Sequence, residues 1–373
     1  MTSAKPVQKR ILEIMNQRLK TIDLARGASV FIMIIVHTLW MFATPDLQGS
    51  SLFGTVIHIL GKGTASFLVA MGISMALSRR QAPWLLAKRG AQLLLLGYIM
   101  NAAKFWLPIE VFNTMPESFI NAYGWQSPLN SEQLKFMLLT GDILQLAGVS
   151  LLLFAVLNIA RWKTHWIATL AVAIALSSEF VRGSQFALLP YVSDVFFANN
   201  YQVYFPVFPW ISAILTGYVL GRIYQQKQKD EQYLYKVCAW LGGALLIVGA
   251  AWLAVDFKGQ FGNFFHLNGG GISYLIGLNL CALALLQYLF ANKSSGPITR
   301  ALLYASKHVT ALYVIQWVLI CWLMGVFGYH TLTLWPTLYL MVLVSLLTFA
   351  VHKLYLQSKR TTIGVMQKTK RTA

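Results

Sequence analysis

Charge is scarce in this chain: Asp, Glu, Lys and Arg make up 11% of its 373 residues, against about 25% in an ordinary soluble domain. Cysteine is rarer still. Cys238, Cys281 and Cys321 all fall within long apolar runs, which excludes a disulfide framework and any zinc-type ligand spacing. Acidic residues number 12, beside 30 Lys and Arg. No hydrophilic stretch is long enough for a separate soluble domain, the longest being 110–135 and 182–203. No internal repeat is visible, which weighs against transporter folds built from two related halves. The first 22 residues are too polar and basic for a cleaved signal peptide, and no A-x-A site follows the first apolar run.

Hydrophobicity is abundant instead, at 57% of residues and a mean hydropathy of +0.58. A bilayer-spanning helix needs about 20 apolar residues. Ten runs approach that length: 24–44, 53–78, 91–109, 136–159, 166–181, 204–224, 237–255, 272–291, 309–328 and 336–352. The fifth is short, and Lys104 interrupts the third. This pattern predicts an all-α, polytopic integral membrane bundle of about ten helices. It divides into a basic segment at 1–22, a membrane domain at 23–352 and a basic tail at 353–373.

The net charge of +18 follows the same topology. Of the 30 Lys and Arg, 24 lie in alternate connections: 1–22, 79–90, 160–165, 222–236, 292–308 and 353–373. The opposite connections hold only Lys135, Arg182 and Lys258. Such asymmetry orients a membrane protein, so both termini are expected in the cytoplasm. The basic excess is an orientation signal with some attraction to anionic lipid, and no nucleic-acid partner is implied.

Polar residues inside the spans carry the functional signal, because ionisable groups at membrane depth are costly and cluster where they line a cavity or pathway. Arg26 and His37 are eleven residues apart. Eleven helical steps return to within about 20° of the start, so both share one face roughly 16 Å apart. Asp23 joins them on that face. His58, Asp142 and Gln145 enter their spans from the outer side, Asn101 and Lys104 lie near Glu110, and His266 and Asn268 stand just before the eighth span. Polar groups from several helices thus meet in the outer half of the membrane. Cations gather towards the inner half, at Arg26 and, in the loop after the second span, Arg79, Arg80 and Arg89, with Lys62 between the two levels. Cations there suit an anionic cytoplasmic ligand, and an imidazole further out suits proton transfer.

Each residue also has a plainer reading. Arg26 reaches the headgroups with Asp23 as its partner, His37 and His58 serve as interior hydrogen-bonders, and Asp142 caps the fourth span. Lys62 and Lys104 pair with Glu110 or Asp142, while Arg79 and Arg80 set topology. His165, His308, His330 and His352 lie in or beside loops and are read as solvated. The outer aromatics Phe105, Trp106, Tyr123, Trp125, Phe264 and Phe265 read mainly as an interfacial belt, with sugar stacking as the other option.

The run Arg18-Leu-Lys-Thr-Ile-Asp23-Leu-Ala-Arg26-Gly27, followed by apolar residues up to His37, resembles the opening of the transmembrane acyltransferase superfamily. In its acyltransferase-three branch, Arg, ten residues and His form the signature, and that His is the proposed base. More of the chain is similar to the heparan-alpha-glucosaminide N-acetyltransferase branch. The matching segments are Ser66-Phe-Leu-Val-Ala-Met-Gly72-Ile-Ser74, Asp142-Ile-Leu-Gln145-Leu-Ala-Gly148, Phe205-Pro-Val-Phe-Pro209-Trp210 and Gly217-Tyr-Val-Leu-Gly221-Arg222. The likeness holds from 18 to about 225 and is loose over the last four spans. The heparan branch carries Asn where this chain has His37, and its catalytic His lies near the start of the second span, where His58 falls. His37 is the preferred base on spacing.

The resemblance implies acyl transfer, with acetyl as the default, from cytoplasmic acetyl-CoA to a hydroxyl or amine of a carbohydrate at the outer face. It implies Arg26, Lys62, Arg79 and Arg80 as holders of the CoA phosphates. His37 or His58 is then the base, with Asp142 or Glu110 orienting it. Lys62, Asn101 or Gln145 would steady the oxyanion, and Lys104, Asn101, Gln145, His266 and Asn268 would face the acceptor. No metal is implied, a homodimer is plausible from the heparan relatives, and a bacterial inner membrane is the expected setting. The competing reading is a proton-coupled secondary transporter or glycan flippase, with His37, Asp142 and Lys104 as its relay.

Overall fold

A computed structural model describes residues 19–290 and 296–372, with side chains as far as Lys359. Most of the basic segment 1–22 therefore lies outside the described residues. Among those described, there is no strand, and only two isolated bridges occur, Ala43 with Leu332 and Gly141 with Val203. Among the described residues, nine helices are long and apolar enough to cross a membrane, and a tenth, shorter one, Ile143–Ile159, is also apolar. The all-α polytopic bundle is the architecture observed.

Helix α1 runs from Lys20–Phe42. The second span is two pieces, α2 at Leu52–Gly61 and α3 at Thr64–Ala76, broken at Gly61-Lys62-Gly63. Helix α4 begins at Pro83 and extends to Asn101, then continues as a π-helical stretch, Ala102–Val111. It starts earlier than the apolar run because proline, with its fixed φ and no N–H, suits a first helical position. Then come α5 (Ile143–Ile159), α6 (Thr164–Val181), α7 (Val207–Gln226), α8 (Glu231–Val255) and α9 (Gly269–Phe290). The chain closes with α10 (Pro297–Lys307), α11 (Val309–Phe327) and α12 (Leu334–Thr372). The basic stretch from 353 continues α12 as far as Thr372.

The fourth expected span, 136–159, is not one helix. A short helix, Ser131–Leu138, stops before Thr140, and α5 restarts after Asp142. Asp142 and Gln145 form a reciprocal capping box, which satisfies N–H groups that a new helix start leaves open. In the break, the Gly141 N–H donates to the Gln202 carbonyl at 2.7 Å and the Tyr204 N–H to the Gly141 carbonyl at 2.9 Å. Helix α5 has 17 residues, about 25 Å of length at 1.5 Å per residue. The break leaves Asp142 buried within the bundle.

Helix α1 is central, packing on α2, α3, α10, α11 and α12. The α3–α7 contact is the tightest approach in the matching segments. A Cβ at Gly72 would lie 2.0 Å from the Ile214 carbonyl oxygen, and one at Gly217 would lie 2.0 Å from the Val69 carbonyl oxygen. Small residues let backbones meet where van der Waals packing, rather than water exclusion, holds helices together. Gly72 and Gly217 are therefore packing residues. Gly217→Ala should lower the melting temperature of the detergent-purified protein, with overpacking costing about 1–3 kcal/mol. Gly243→Ala, where nothing lies within 4 Å of the added Cβ, should leave it unchanged or slightly raised. Equal effects at the two positions would refute this assignment.

Candidate active site

One face of α1 lines two cavities in succession. The larger, of about 450 Å³, takes Ser29, Met33, His37 and Trp40 from α1, a run at three- and four-residue spacing. The smaller, of about 200 Å³, takes Arg26 from the same helix. Phe67 of α3, Ile143 of α5 and Tyr313 of α11 belong to the walls of both.

His37 is 9% exposed. Its ring stacks on Trp317 of α11, with centroids 4.1 Å apart and planes at 26°. Its Nδ1 is buried and has no hydrogen-bond partner. The ammonium of Lys104 lies 4.8 Å from the centroid of the same Trp317 ring and 4.7 Å from that of Phe105. Such cation–π contacts favour a charge that little water can reach. The Lys104 Nζ also lies 3.9 Å from Asp142 Oδ2, and the Tyr313 hydroxyl donates to that oxygen at 2.6 Å. Asp142 Oδ1 accepts from the Ile143 N–H at 2.7 Å. The carboxylate is thus anchored by its own helix and shared between a cation and a phenol. It does not touch His37, so orienting that ring falls to Trp317 and not to Asp142.

Asn101 and Gln145 have backbone partners. Asn101 Nδ2 donates to the Leu138 and Thr140 carbonyls at 2.9 and 2.6 Å. Gln145 Nε2 reaches the Thr140 carbonyl at 3.3 Å, and its Oε1 accepts from the Asp142 N–H at 3.0 Å. Neither lines a chamber. They tie α4 and α5 to the chain break and so fix where Asp142 sits. Glu110 is exposed.

His58 lies behind the larger chamber, where its Nδ1 accepts from Trp40 Nε1 at 3.3 Å. His266 bonds the Val203 carbonyl at 3.0 Å through Nε2. Asn268 accepts from Arg182 at 2.7 Å and donates to the Gly259 carbonyl at 2.9 Å, so both hold the loop before α9. Their neighbour Phe265 does line the chamber, as do Phe105 and Tyr123, whereas Trp106, Trp125 and Phe264 do not. His330 is no solvated turn residue. It lines the larger chamber, and its Nε2 lies 2.9 Å from the Trp40 carbonyl. Burial pushes its imidazole below the usual range, so it stands neutral at physiological pH. Burial likewise pushes Tyr123 up to about 12 and Tyr204 well above its ordinary value. These chamber phenols remain neutral hydroxyls.

In the smaller chamber, Arg26 donates to Asp23 at 3.5 Å, to Ser74 Oγ at 3.3 Å and to the Ser306 carbonyl at 3.3 Å. Ser306 Oγ in turn donates to Asp23 at 3.1 Å. The second cation on this wall is Arg89 of α4, one turn before Leu93, which lines the same chamber. Charge pattern alone places Arg89 in a loop, whereas the structure puts it on α4. Its i, i+4 spacing to Leu93 on a helix beginning at Pro83 was the available signal. Arg79 and Arg80 are exposed and line neither chamber, and Lys62 turns elsewhere, its ammonium 4.5 Å from the Phe261 centroid. His352 and His308 are also not simply solvated. His352 is 1% exposed and bonds the Tyr304 hydroxyl at 2.8 Å, and the His308 ring lies 4.6 Å from its own. His165 is exposed. Among the described residues, no three His, Cys, Asp or Glu side chains gather as a metal site.

The Lys104–Asp142 pair is nearly fully buried, with side chains 3% and 8% exposed. Removing one partner from such a pair typically costs about 3–5 kcal/mol, because the other charge is stranded. Lys104→Met should therefore lower the melting temperature more than Lys104→Met/Asp142→Asn does. Strictly additive losses in this double-mutant cycle would contradict the coupling.

Comparison with known proteins agrees with this picture of the chain. Residues 18–256, well over half of it, match the family model described as heparan-alpha-glucosaminide N-acetyltransferase, catalytic. A search of curated proteins finds no match. The matched stretch contains every chamber residue from α1 through α7, while Tyr313 and Trp317 lie beyond it. The chain belongs to the heparan-alpha-glucosaminide N-acetyltransferase catalytic family.

Proposed function

We propose that this protein is a membrane acetyltransferase that moves an acetyl group from cytosolic acetyl-CoA to a hydroxyl or amine of a carbohydrate on the far side of the membrane, with His37 as general base. Family membership supports acetyl transfer. The observation that carries the role of His37 is its buried, unpartnered Nδ1 in a chamber rich in aromatic rings. The Arg26 end is the cytosolic one on the distribution of Lys and Arg. Arg26 and Arg89 there suit the phosphates of the donor, since guanidinium groups bind phosphate oxygens in a two-pronged geometry. A chamber of about 200 Å³ admits the acyl-bearing end of a long arm and leaves a nucleotide outside.

The acceptor sits in the larger chamber, with its sugar faces against rings such as Trp40, Tyr204 and Phe265. Its O–H or N–H donates to His37 Nδ1. As the acceptor atom attacks the thioester carbonyl carbon, the new C–O or C–N bond forms and the proton passes to His37. The ammonium of Lys104 faces the developing oxyanion, where low water content strengthens the interaction. The tetrahedral centre then collapses, the C–S bond breaks, and His37 returns the proton to the departing sulfur.

Acetyl-CoA should raise the melting temperature of the detergent-purified protein, a ligand at a hundred times its Kd adding about 2.7 kcal/mol. His37→Ala should keep that shift yet reduce acetylation of cell-surface glycans, read by mass spectrometry, by about 100-fold or more. Undiminished acetylation would remove His37 from the chemistry. Proton-driven uptake by proteoliposomes with no acetyl-CoA stabilisation would favour the transporter reading instead.

A further inference from the structure

Tyr313 stands where the two chambers meet, and nothing in the family match accounts for it, because α11 lies outside residues 18–256. It is 4% exposed. With Phe67 and Ile143 it forms the wall common to both chambers. Its hydroxyl is latched to Asp142 Oδ2 at 2.6 Å. That carboxylate is itself fixed by the Ile143 N–H at 2.7 Å and by Lys104 at 3.9 Å. One helical turn further on, Trp317 packs against His37 at 4.1 Å. The same face of α11 therefore closes the wall and seats the imidazole.

A base that activates a sugar hydroxyl activates water equally well. Water reaching the thioester from the larger chamber would give acetate and free CoA: the C–O bond to water forms, the C–S bond breaks, and the water proton passes through His37 to the sulfur. Excluding water from a reactive acyl group until the correct acceptor is present is a recognised task of an active-site wall. We propose that Tyr313 is the specificity-determining residue that makes transfer prevail over hydrolysis. Resting on Asp142, it keeps the thioester in the Arg26 chamber and away from water beside His37. It yields only when an acceptor fills the aromatic chamber. The proposal rests on the acetyl-CoA reading above and assigns to Tyr313 the choice between sugar and water.

The test needs acetyl-CoA alone, with no acceptor. The purified full-length protein in lipid nanodiscs is incubated with acetyl-CoA, and thiol release is followed with a thiol-reactive dye. Wild type should release CoA slowly. Tyr313→Ala should release it at least about tenfold faster, and Tyr313→Ala/His37→Ala should fall back to the wild-type rate, since the leak uses the same base. Tyr313→Phe, which keeps the ring and loses only the latch, should lie between the two. If Tyr313→Ala does not fold, Phe67→Ala removes another side chain that lines both chambers and should leak likewise. A variant that is still stabilised by acetyl-CoA and shows no faster release would overturn the proposal while leaving the acetyltransferase reading standing. A wild type that acetyl-CoA does not stabilise would bring both down.

Discussion

A lysine and an aspartate held 3.9 Å apart inside a membrane bundle set the constraint to which the rest of the site conforms. Neither charge is tolerable alone in that surrounding, so each must be delivered to the other by its helix. The π-helical stretch of Ala102–Val111 carries Lys104 inward, and the break before α5 presents Asp142 as a cap. Asn101 and Gln145 lock that break in place through backbone carbonyls. Tyr313 then donates to the same carboxylate oxygen that faces Lys104. Departures from regular helix are expensive in a bilayer unless they are buried and satisfied, and here both are.

The second constraint is the close packing of α1 and its neighbours. At the far end of α1, Gly27 brings its backbone against α10, where an added Cβ would lie 2.0 Å from the Leu302 carbonyl oxygen. Helix α10 in turn supplies the Ser306 groups that bond Arg26 and Asp23. At the other end, Trp317 and Trp40 hold His37 between aromatic rings, with the Trp40 centroid 5.8 Å away. One helix therefore carries a cation beside one chamber and an imidazole beside the other, and three side chains line both.

Much of this was legible in the sequence where one periodicity governed it. The bundle followed from apolar runs of spanning length, and the shared face of Arg26 and His37 followed from eleven helical steps. What a polar side chain inside a span faces is not readable from sequence. Asn101 and Gln145 look identical in sequence whether they bind substrate or a broken backbone, and only the break at Thr140–Asp142 decides. Lys62, Arg79 and Arg80 share charge and approximate depth in the sequence, but loop direction and the Gly61–Gly63 break send them away from the Arg26 chamber. Tyr313, Trp317 and His330 left almost no trace. An aromatic residue on an apolar helix reads as core or lipid contact, and a His in a turn reads as solvated, until the fold brings them onto one cavity.

A cryo-electron microscopy structure of the protein with acetyl-CoA addresses the central claim most directly, which is that donor and acceptor occupy opposite sides of one wall. The expected density has the nucleotide outside the bundle near Arg26 and Arg89 and the acetyl thioester against Tyr313. Density for the donor in the aromatic chamber, with its phosphates at the His37 end, would contradict it.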